Sequence, residues 1–289
     1  MSSPVSIILV NWNTKELLLA CLRSLGDCGR HQVIVVDNES ADGSADAVAQ
    51  AFPWVELIRA GGNLGYARGN NLGFKAATHP YLLALNPDTE ISIEQIEKGV
   101  EILESHPQIG CLAAKLVDPP PSGKTQRSVR GFPTFMGLLG AWTGLDRRFP
   151  HSPLGAYFLP GFNYDLEQLA PQPMGTFLLF RREALESVRE TDLEFPFDPL
   201  FPIFFNDVDL SQRLEKSGWK TLYTPEIVVA HHGGASTRQQ KPAMIWESHR
   251  SLIRYLAKHR GRATAALLAP LILLGAFVRA KGYSKGFQS

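Results

Sequence analysis

A single carboxylate, Asp88, stands directly after a short apolar run of the chain. The run, Tyr81–Leu85, has the length of a buried strand, and Asn86-Pro87 turns the chain out of it. Asp88 could cap the helix that follows, but Ser92 is already in position to do so. A carboxylate at the end of a strand can hold a hard cation such as Mg²⁺, and that cation can bind a diphosphate. The segment therefore predicts a metal and nucleotide site.

Other polar side chains follow the predicted strands that precede this one. Asn11 comes directly after the first strand, and Asp37 ends the second. A loop rich in glycine and asparagine, residues 61–71, follows the third, and its glycines allow the backbone to approach a ligand closely. Because parallel strands present their carboxyl ends at the same edge of a sheet, we expect these residues to meet around Asp88.

The elements that must position these residues alternate between strand and helix over about the first 115 residues. The strands predicted from apolar runs are Val5–Val10, Gln32–Val36, Val55–Arg59 and Tyr81–Leu85. Thr14 is the expected N-cap of the first helix. This alternation predicts an α/β fold with a mostly parallel central sheet flanked by helices.

The alternation ends near Asp118, where a cluster of proline and glycine, residues 119–123, interrupts the chain. Residues 119–173 are rich in proline, glycine and aromatic residues, which is typical of a lid or a binding region. Order returns with the predicted elements Gly175–Phe180, Asp207–Lys216, Trp219–Tyr223 and Ile227–Ala230. We therefore expect one domain over residues 1–240, with halves 1–118 and 119–240, and a C-terminal helical appendage over residues 241–289.

The composition and the missing motifs exclude several classes of protein. With a formal net charge of +1 over 289 residues, the chain has no electrostatic basis for binding nucleic acid. The first strand is followed by Asn11-Trp12-Asn13, without the glycines of a dinucleotide-binding loop, and the chain contains no P-loop motif. Three cysteines without metal-binding spacing indicate reduced thiols in a cytosolic protein.

A series of short motifs runs through the chain in a fixed order. The motifs are Val5–Asn13, Val35–Ser44, Asn63–Gly65 with Asn70-Asn71, Leu85–Asp88, Gly175–Glu183, Asn206–Leu210 and His231–Ser236. In sequence and order they resemble the motifs of the inverting family 2 glycosyltransferases, and within that family the rhamnosyltransferase-like branch. Each motif is weak alone, but the ordered set is a strong signal.

The resemblance implies a GT-A fold and an enzyme that takes its sugar from a nucleotide donor. It implies that Asp207 is the general base, that Asp37 contacts the nucleotide base, and that Asp88 binds a divalent metal, Mg²⁺ or Mn²⁺. His231, with His232 as the alternative, matches the late histidine that approaches the metal or the diphosphate. The nucleotide-sugar-binding residues implied by the resemblance are Asn11, Asp37, Asn63, Gly65, Arg68, Asn71, Asn86, Asp88 and Gly175.

The chain departs from the family pattern at two positions. Asn86 replaces the first aspartate of the Asp-x-Asp metal motif, and Asn206 replaces the glutamate that commonly precedes the base. Asn-Pro-Asp is frequent in the rhamnosyltransferase-like branch, so the first departure is compatible with activity. Two alternatives stay open: a nucleotidyltransferase, and a non-catalytic protein that binds sugar nucleotides at the membrane.

The expected reaction is the transfer of a sugar, with rhamnose as a candidate, to a hydroxyl of a glycan or polyprenyl-linked acceptor in cell-surface polysaccharide synthesis. A sugar hydroxyl is a poor nucleophile, so a carboxylate must take its proton as it attacks. A divalent metal can offset the charge of the leaving diphosphate. A single displacement inverts the anomeric centre, and no second nucleophilic carboxylate is needed.

The C-terminal segment Ala263–Val278 is almost wholly apolar. Basic residues flank it: Lys258, Arg260 and Arg262 on one side, and Arg279, Lys281 and Lys285 on the other. A spanning helix needs about 20 apolar residues, so this segment is short for one. We expect a cytoplasmic protein whose C-terminal helix makes a peripheral contact with the inner face of the cell membrane. A helix packed on the core and a contact between two copies in a homodimer are the alternatives.

Overall fold

A sheet of nine strands forms the centre of the part of the chain that is described. The computed structural model describes residues 2–188, 196–233 and 241–284, so residues 234–236 of the last motif and Lys285 lie outside it. The strands of the chain are β1 (Val5–Asn11), β2 (Gln32–Asp37), β3 (Glu56–Arg59), β4 (Tyr81–Leu85), β5 (Thr89–Glu90), β6 (Ile109–Val117), β7 (Val129–Arg130), β8 (Gln168–Leu169), β9 (Gln172–Pro173), β10 (Phe177–Arg181) and β11 (Lys220–His231).

The long strands of the sheet run in one direction, with one exception. Their spatial order is β3-β2-β1-β4-β10-β6-β11-β5, and β8 pairs with β11. The pairs β1–β2, β2–β3, β1–β4 and β6–β11 are parallel, whereas β10 is antiparallel to both of its neighbours, β4 and β6. β7 and β9 form a separate two-stranded sheet. The predicted α/β fold with a mostly parallel sheet is confirmed, and β10 makes the sheet a mixed one.

Helices cover both faces of this sheet. They are α1 (Lys15–Leu25), α2 (Ser44–Ala51), α3 (Gly65–Ala76), α4 (Ile93–Ser105), α5 (Phe135–Thr143), α6 (Leu145–Arg148), α7 (Arg182–Ser187), α8 (Asn206–Lys216), α9 (Lys241–Arg260) and α10 (Arg262–Ser284). Successive residues of β1 alternate between two cores, with Leu9 in the core under α1, α2 and α4 and Ile8 in the core under α3, α7 and α8. A strand that is buried on both faces has a continuous run of apolar residues, so β1 could be predicted from the sequence.

The structure corrects three local predictions. The two short strands predicted after Gly218 form the single strand β11, whose pairing with β6 is irregular between Thr224 and Val228. Thr14 and Ser92 precede α1 and α4 as expected, but neither side chain caps its helix. The Thr14 hydroxyl instead donates to Asn11 Oδ1 at 2.7 Å, so a side chain predicted to start a helix holds a residue of the sheet edge.

The C-terminal helices pack on the domain through a third core. Tyr255 of α9 and Leu268 of α10 are buried with Val208 of α8 in this cluster. An ion pair adds to the contact, since Lys258 Nζ of α9 lies 3.0 Å from Asp209 Oδ1 of α8. The helices predicted as an appendage thus share a hydrophobic core with the rest of the chain.

Candidate active site

A cavity of about 620 Å³ opens where the parallel strands end. Five elements supply the chemistry-bearing residues of its lining: Asn11 at the end of β1, Asp88 after β4, Gly175 before β10, Asp207 in α8 and His231 at the end of β11. Because β10 runs against its neighbours, its first residues reach the edge at which the other strands end. The sheet therefore gathers residues from distant parts of the chain around one space.

Asp207 lies in the first turn of α8, and two backbone N–H groups hold its carboxylate. Its Oδ2 accepts from the Gly175 N–H at 2.9 Å, and its Oδ1 accepts from the Val208 N–H at 2.9 Å. Burial raises the pKa of Asp207, and these two hydrogen bonds together with the positive charge of Arg130 offset only part of that rise. A fixed carboxylate with a raised pKa is suited to accept a proton from a bound hydroxyl group.

Gly175 is the residue that lets the backbone come so close to Asp207. A Cβ at this position would lie 3.3 Å from both Cβ and Oδ2 of Asp207. The other end of the same residue is also fixed, because the Tyr66 hydroxyl donates to the Gly175 carbonyl oxygen at 2.7 Å. Gly175 thus lines the cavity, and its backbone orients the carboxylate.

Asp88 and His231 lie next to one another in the cavity lining. Asp88 Oδ1 lies 3.5 Å from His231 Nε2, and the two side chains are 8% and 7% exposed. His232 is not an equivalent candidate, since its Nε2 lies 2.9 Å from Glu90 Oε1 on an exposed part of β5. Of the two histidines that the sequence left as alternatives, His231 is the one that lines the cavity.

This pair has the chemistry of a partial metal site. A carboxylate oxygen and an imidazole nitrogen both bind divalent ions such as Mn²⁺. Within residues 2–188, 196–233 and 241–284, no group of three or more His, Cys, Asp or Glu side chains could hold a metal. An ion held by Asp88 and His231 would therefore take its other ligands from water or from a bound diphosphate, which is common for Mg²⁺.

The end of β1 forms a polar floor beside the cavity. The Asn11 side chain is fully buried, and its Nδ2 donates to Asp37 Oδ1 at 3.0 Å and to Ser40 Oγ at 3.0 Å. Asp37 Oδ2 accepts from the Ser40 backbone N–H at 2.9 Å. These bonds connect the ends of β1 and β2, whose residues 11 and 37 pair in register. The network fixes the loop that follows β2.

The beginning of α3 forms another wall. Asn63 Oδ1 accepts from the Gly65 N–H at 3.1 Å, which fixes the turn into the helix. Gly65 has φ +77°, and a Cβ there would lie 2.7 Å from the Pro202 carbonyl oxygen. Only glycine meets both conditions without strain, because it alone adopts positive φ freely and has no Cβ. Asn63 and Gly65 both line the cavity, as does Asn86.

Three predicted binding residues do not line the cavity. Arg68 is exposed on α3. Asn71 is buried, and it donates to the Phe197 carbonyl oxygen at 2.7 Å and accepts from the Phe197 N–H at 3.1 Å. Asp37 is 3% exposed and lies behind Asn11. The contacts of Asp37 and Asn71 stabilise the loops around the cavity.

Several lining residues were not predicted from the sequence. Trp12 and Tyr66 both line the cavity. Thr176 also lines it, and its hydroxyl oxygen is buried without a hydrogen-bond partner among the residues that the structure describes. Met244 reaches the lining from α9, and no local pattern identifies it. Tyr66 could have been found, because it directly follows the Asn63–Gly65 motif.

Comparisons of the sequence with known proteins identify the family of the chain. The model of the family described as "Glycosyl transferase family 2" matches residues 6–189. The chain is 30% identical over 247 residues to N-acetylglucosaminyl-diphospho-decaprenol L-rhamnosyltransferase of Mycobacterium tuberculosis, which covers 79% of this chain and 76% of the relative. It is 23% identical over 267 residues to rhamnosyltransferase WbbL of Escherichia coli, which covers 89% of this chain and 94% of the relative.

The fold also matches that of solved glycosyltransferases. The mannosyltransferase PcManGT from Pyrobaculum calidifontis, solved in complex with GDP-Man and Mn²⁺, superposes with a TM-score of 0.59. The sequence identity is 17%, and the match covers 100% of this chain and 77% of the neighbour. The chain therefore has the GT-A fold that its motifs implied.

Proposed function

Because the chain belongs to glycosyltransferase family 2, in its rhamnosyltransferase-like branch, we propose that it transfers a sugar with inversion from a nucleoside-diphosphate donor to an acceptor hydroxyl. The observation that carries this proposal is the meeting of Asp207, Asp88 and His231 in one cavity. A proton acceptor and a site for the diphosphate are the two functions that such a displacement requires.

Asp207 is the proposed general base. The acceptor hydroxyl would donate to the Asp207 carboxylate and attack the anomeric carbon as its proton moves to the carboxylate. Its two backbone donors, Gly175 and Val208, keep the carboxylate from rotating, so the base is oriented before the acceptor arrives. Asp88 and Asp207 are the carboxylates among the described lining residues, and they come from different elements, the turn after β4 and the first turn of α8. This arrangement gives one base and one diphosphate site, as single-displacement chemistry needs.

Asp88 and His231 are the proposed protein ligands of a divalent ion, Mg²⁺ or Mn²⁺, on the donor diphosphate. The presence of Mn²⁺ in the complex of the mannosyltransferase neighbour supports this assignment. A bound ion would offset the negative charge that collects on the leaving nucleoside diphosphate. Asn86 lines the cavity beside Asp88 and adds no charge, so the diphosphate itself supplies much of the negative charge around the ion.

The nucleoside is proposed to lie against the ends of β1 and α3. Asn11, Asn63 and Gly65 line this part of the cavity, and Asp37 fixes Asn11 from behind. The donor sugar is proposed to be rhamnose, because the two rhamnosyltransferases compared above are similar to this chain over most of its length.

The acceptor is proposed to be a polyprenyl-linked glycan presented at a membrane, as the name of the mycobacterial relative indicates for that protein. The segment Arg262–Gly282 of α10 is long and apolar enough to cross a bilayer by length and composition. One side of α10, with Leu268 and Ile272, is nevertheless packed in the third core. The opposite side exposes Leu271 and Leu274, at 52% and 58%. We therefore propose that α10 lies along the membrane surface.

The basic residues around α10 fit an anionic membrane surface, with one change from the expectation. Arg262, Arg279 and Lys281 are exposed at its two ends. Lys258 is 19% exposed and pairs with Asp198 and Asp209. The flanking charge proposed to meet lipid therefore comes mainly from α10 itself. Lys258 is engaged by two carboxylates, and the exposed Arg260 donates from Nε to the Pro133 carbonyl oxygen at 3.2 Å.

A transfer assay with an Asp207→Asn variant tests the proposed reaction. A thermal-shift screen of nucleotide sugars with Mn²⁺ would first identify the donor, since a ligand that binds the folded state raises its melting temperature. With that donor and a polyprenyl-diphosphate-linked N-acetylglucosamine acceptor, the variant should lose about 10²–10⁴-fold in kcat and keep its donor affinity. The matched control is Asp46→Asn, whose carboxylate is 84% exposed on α2.

Two results would contradict the proposal. Transfer by Asp207→Asn at the wild-type rate would remove the base assignment. Release of pyrophosphate from a nucleoside triphosphate and a sugar phosphate, with no transfer from a nucleotide sugar, would identify a nucleotidyltransferase instead.

Vesicle flotation tests the proposed membrane contact. The protein should float with vesicles that contain phosphatidylglycerol and bind less to neutral vesicles. The double variant Leu271→Glu and Leu274→Glu should stay in solution, whereas the control Leu166→Glu, at a position that is 58% exposed in another part of the surface, should still float. A wild-type dimer in solution that the double variant abolishes, without vesicle binding, would assign the same face to a second copy of the chain.

A further inference from the structure

Gln126 connects the two long strands β6 and β11. Its Nε2 donates to Asp118 Oδ1 at 2.8 Å and to the His231 carbonyl oxygen at 2.9 Å. Its Oε1 lies 2.8 Å from His231 Nδ1. The backbone N–H of Gln126 donates to the Leu116 carbonyl oxygen at 2.8 Å, so the residue is fixed to β6 at its main chain as well.

These contacts determine which nitrogen of His231 carries the proton. The amide group of Gln126 has two N–H donors, and both have acceptors, Asp118 Oδ1 and the His231 carbonyl oxygen. The atom that faces His231 Nδ1 is therefore the amide oxygen, which can only accept. A hydrogen bond forms at this position only if Nδ1 carries a proton. In the neutral imidazole, Nε2 is then unprotonated and carries the lone pair.

That lone pair points toward another acceptor. Nε2 lies 3.5 Å from Asp88 Oδ1, with both side chains buried at the cavity wall. Two acceptors at this distance can both bind one divalent ion that lies beside them. A histidine that ligates a metal usually donates its other ring N–H to a neighbouring acceptor, which fixes the tautomer and the ring orientation. Gln126 holds His231 in this arrangement through its contacts with Nδ1 and with the carbonyl oxygen.

We propose that Gln126 is a positioning residue that presents His231 Nε2 to the divalent ion of the donor diphosphate. The inference rests on the proposed function, and it assigns a role to the irregular segment after β6. A purely structural alternative is that Gln126 only ties β6 to β11. The two readings differ because a structural tie has no consequence for the tautomer of His231 or for metal affinity in a protein that stays folded.

The first test is the tautomer of His231 in the metal-free protein, measured by ¹⁵N NMR of the imidazole nitrogens at a pH where the ring is neutral. The His231→Gln variant identifies the signals. We expect protonated Nδ1 and unprotonated Nε2 in the wild type, and loss of this preference in Gln126→Leu. Ser122→Ala is the matched control, because it removes the other side-chain donor to Asp118, at 3.3 Å, and leaves Gln126 intact. Protonated Nε2 in the wild type would overturn the proposal.

The second test is the affinity for Mn²⁺ in the presence of a nucleoside diphosphate, measured from the free Mn²⁺ signal in electron paramagnetic resonance. Gln126→Leu should weaken Mn²⁺ binding by about 10–100-fold, as the loss of a partner behind a metal ligand typically does. Asp118→Ala, which removes the anchor of the Gln126 amide, should weaken it to a smaller extent, and Ser122→Ala should not weaken it. Melting curves of each variant establish that the measurements are made on folded protein.

The His231→Ala variant separates the possible failures. If His231→Ala weakens Mn²⁺ binding and Gln126→Leu does not, Gln126 has no positioning role and the metal site stands. If neither variant weakens it, His231 is not a metal ligand, and both the metal assignment and this inference are wrong. If both weaken it and the tautomer changes in Gln126→Leu, the proposal is supported.

Discussion

Removal of the Asp209 carboxylate should destabilise the protein strongly. This side chain of α8 is fully buried and has three cationic or ionisable partners. Arg213 Nε donates to its Oδ2 at 2.8 Å, while His259 Nε2 and Lys258 Nζ of α9 lie 2.7 and 3.0 Å from its Oδ1. The cluster joins α8, which carries the proposed base, to the C-terminal helix α9. Its loss should therefore destabilise the packing of both helices.

The size of the effect follows from the pKa of Asp209. Burial alone would raise this pKa, but the hydrogen bond with His259 and the charges of Arg213 and Lys258 outweigh it and lower the pKa from 3.8 to about 2. A difference of that size corresponds to about 2 kcal/mol of stability at neutral pH. Asp209→Asn also leaves the buried cations without a counter-charge, which typically costs about 3–5 kcal/mol in total.

Differential scanning fluorimetry measures the consequence. A loss of about 3 kcal/mol should lower Tm by roughly 6–10 °C in a protein of this size. The matched control is Asp46→Asn, which breaks the pair with Arg59, at side chains that are 84% and 58% exposed. Exposed pairs contribute about 0–1 kcal/mol, so this variant should melt within about 2 °C of the wild type.

The pH dependence provides the sign of the effect. Because the pKa of Asp209 is lowered in the folded state, its contribution is complete above the unfolded value of 3.8 and is lost as the pH falls toward about 2. The Tm difference between the wild type and Asp209→Asn should therefore be constant near neutral pH and should narrow below about pH 4. A difference no larger than that of Asp46→Asn, or one that stays constant in acid, would refute the reasoning.

Three further predictions concern the cavity. Gly175→Ala should lower kcat by about 10-fold in steady-state assays, with little change in donor KM. The reason is that the new Cβ would lie 3.3 Å from Asp207 Oδ2 and would displace the base by a few tenths of an ångström. An unchanged kcat would contradict this. The acid limb of the pH profile of kcat/KM should have an apparent pKa above the ordinary carboxyl pKa of about 4. Burial raises the pKa of Asp207, and activity is lost when this base is protonated. An acid limb at or below the ordinary pKa would assign the base to another residue. Gly65→Ala should lower Tm by several degrees, because the residue has φ +77° and its new Cβ would lie 2.7 Å from the Pro202 carbonyl oxygen. Gly62→Ala is the control and should not lower Tm, because its new Cβ would have no neighbouring atom within 4 Å.

The sequence predicts the half of the site that follows local rules. Continuous apolar runs such as Tyr81–Leu85 identify strands buried on both faces, and the polar residue after each strand then falls at the sheet edge. Asn11 and Asp88 could be placed in the cavity for this reason. The motif resemblance added Asp207 and His231, which no periodicity connects to the first half of the chain.

The part that could not be predicted depends on contacts between distant residues. The hydrogen bond between the Gly175 N–H and Asp207 spans 32 positions and requires β10 to insert antiparallel between β4 and β6. Asn71 stands in a family motif, yet its side chain holds the Phe197 backbone, 126 positions away. Asp209 has an adequate local explanation at the start of a helix, and only the packing of α9 explains its burial.

The same packing connects the proposed membrane contact to catalysis. Met244 of α9 lines the cavity, while Lys258 and His259 near the other end of that helix hold Asp209, two residues after the proposed base. α9 therefore belongs to the active site as much as α8 does. α10 packs on this unit with one side and presents its apolar side outward, so the orientation of α10 on a membrane would also set the orientation of the cavity. A polyprenyl-linked acceptor could then meet Asp207 while its lipid remains in the bilayer, because residues of α8, α9 and α10 are packed in one hydrophobic core.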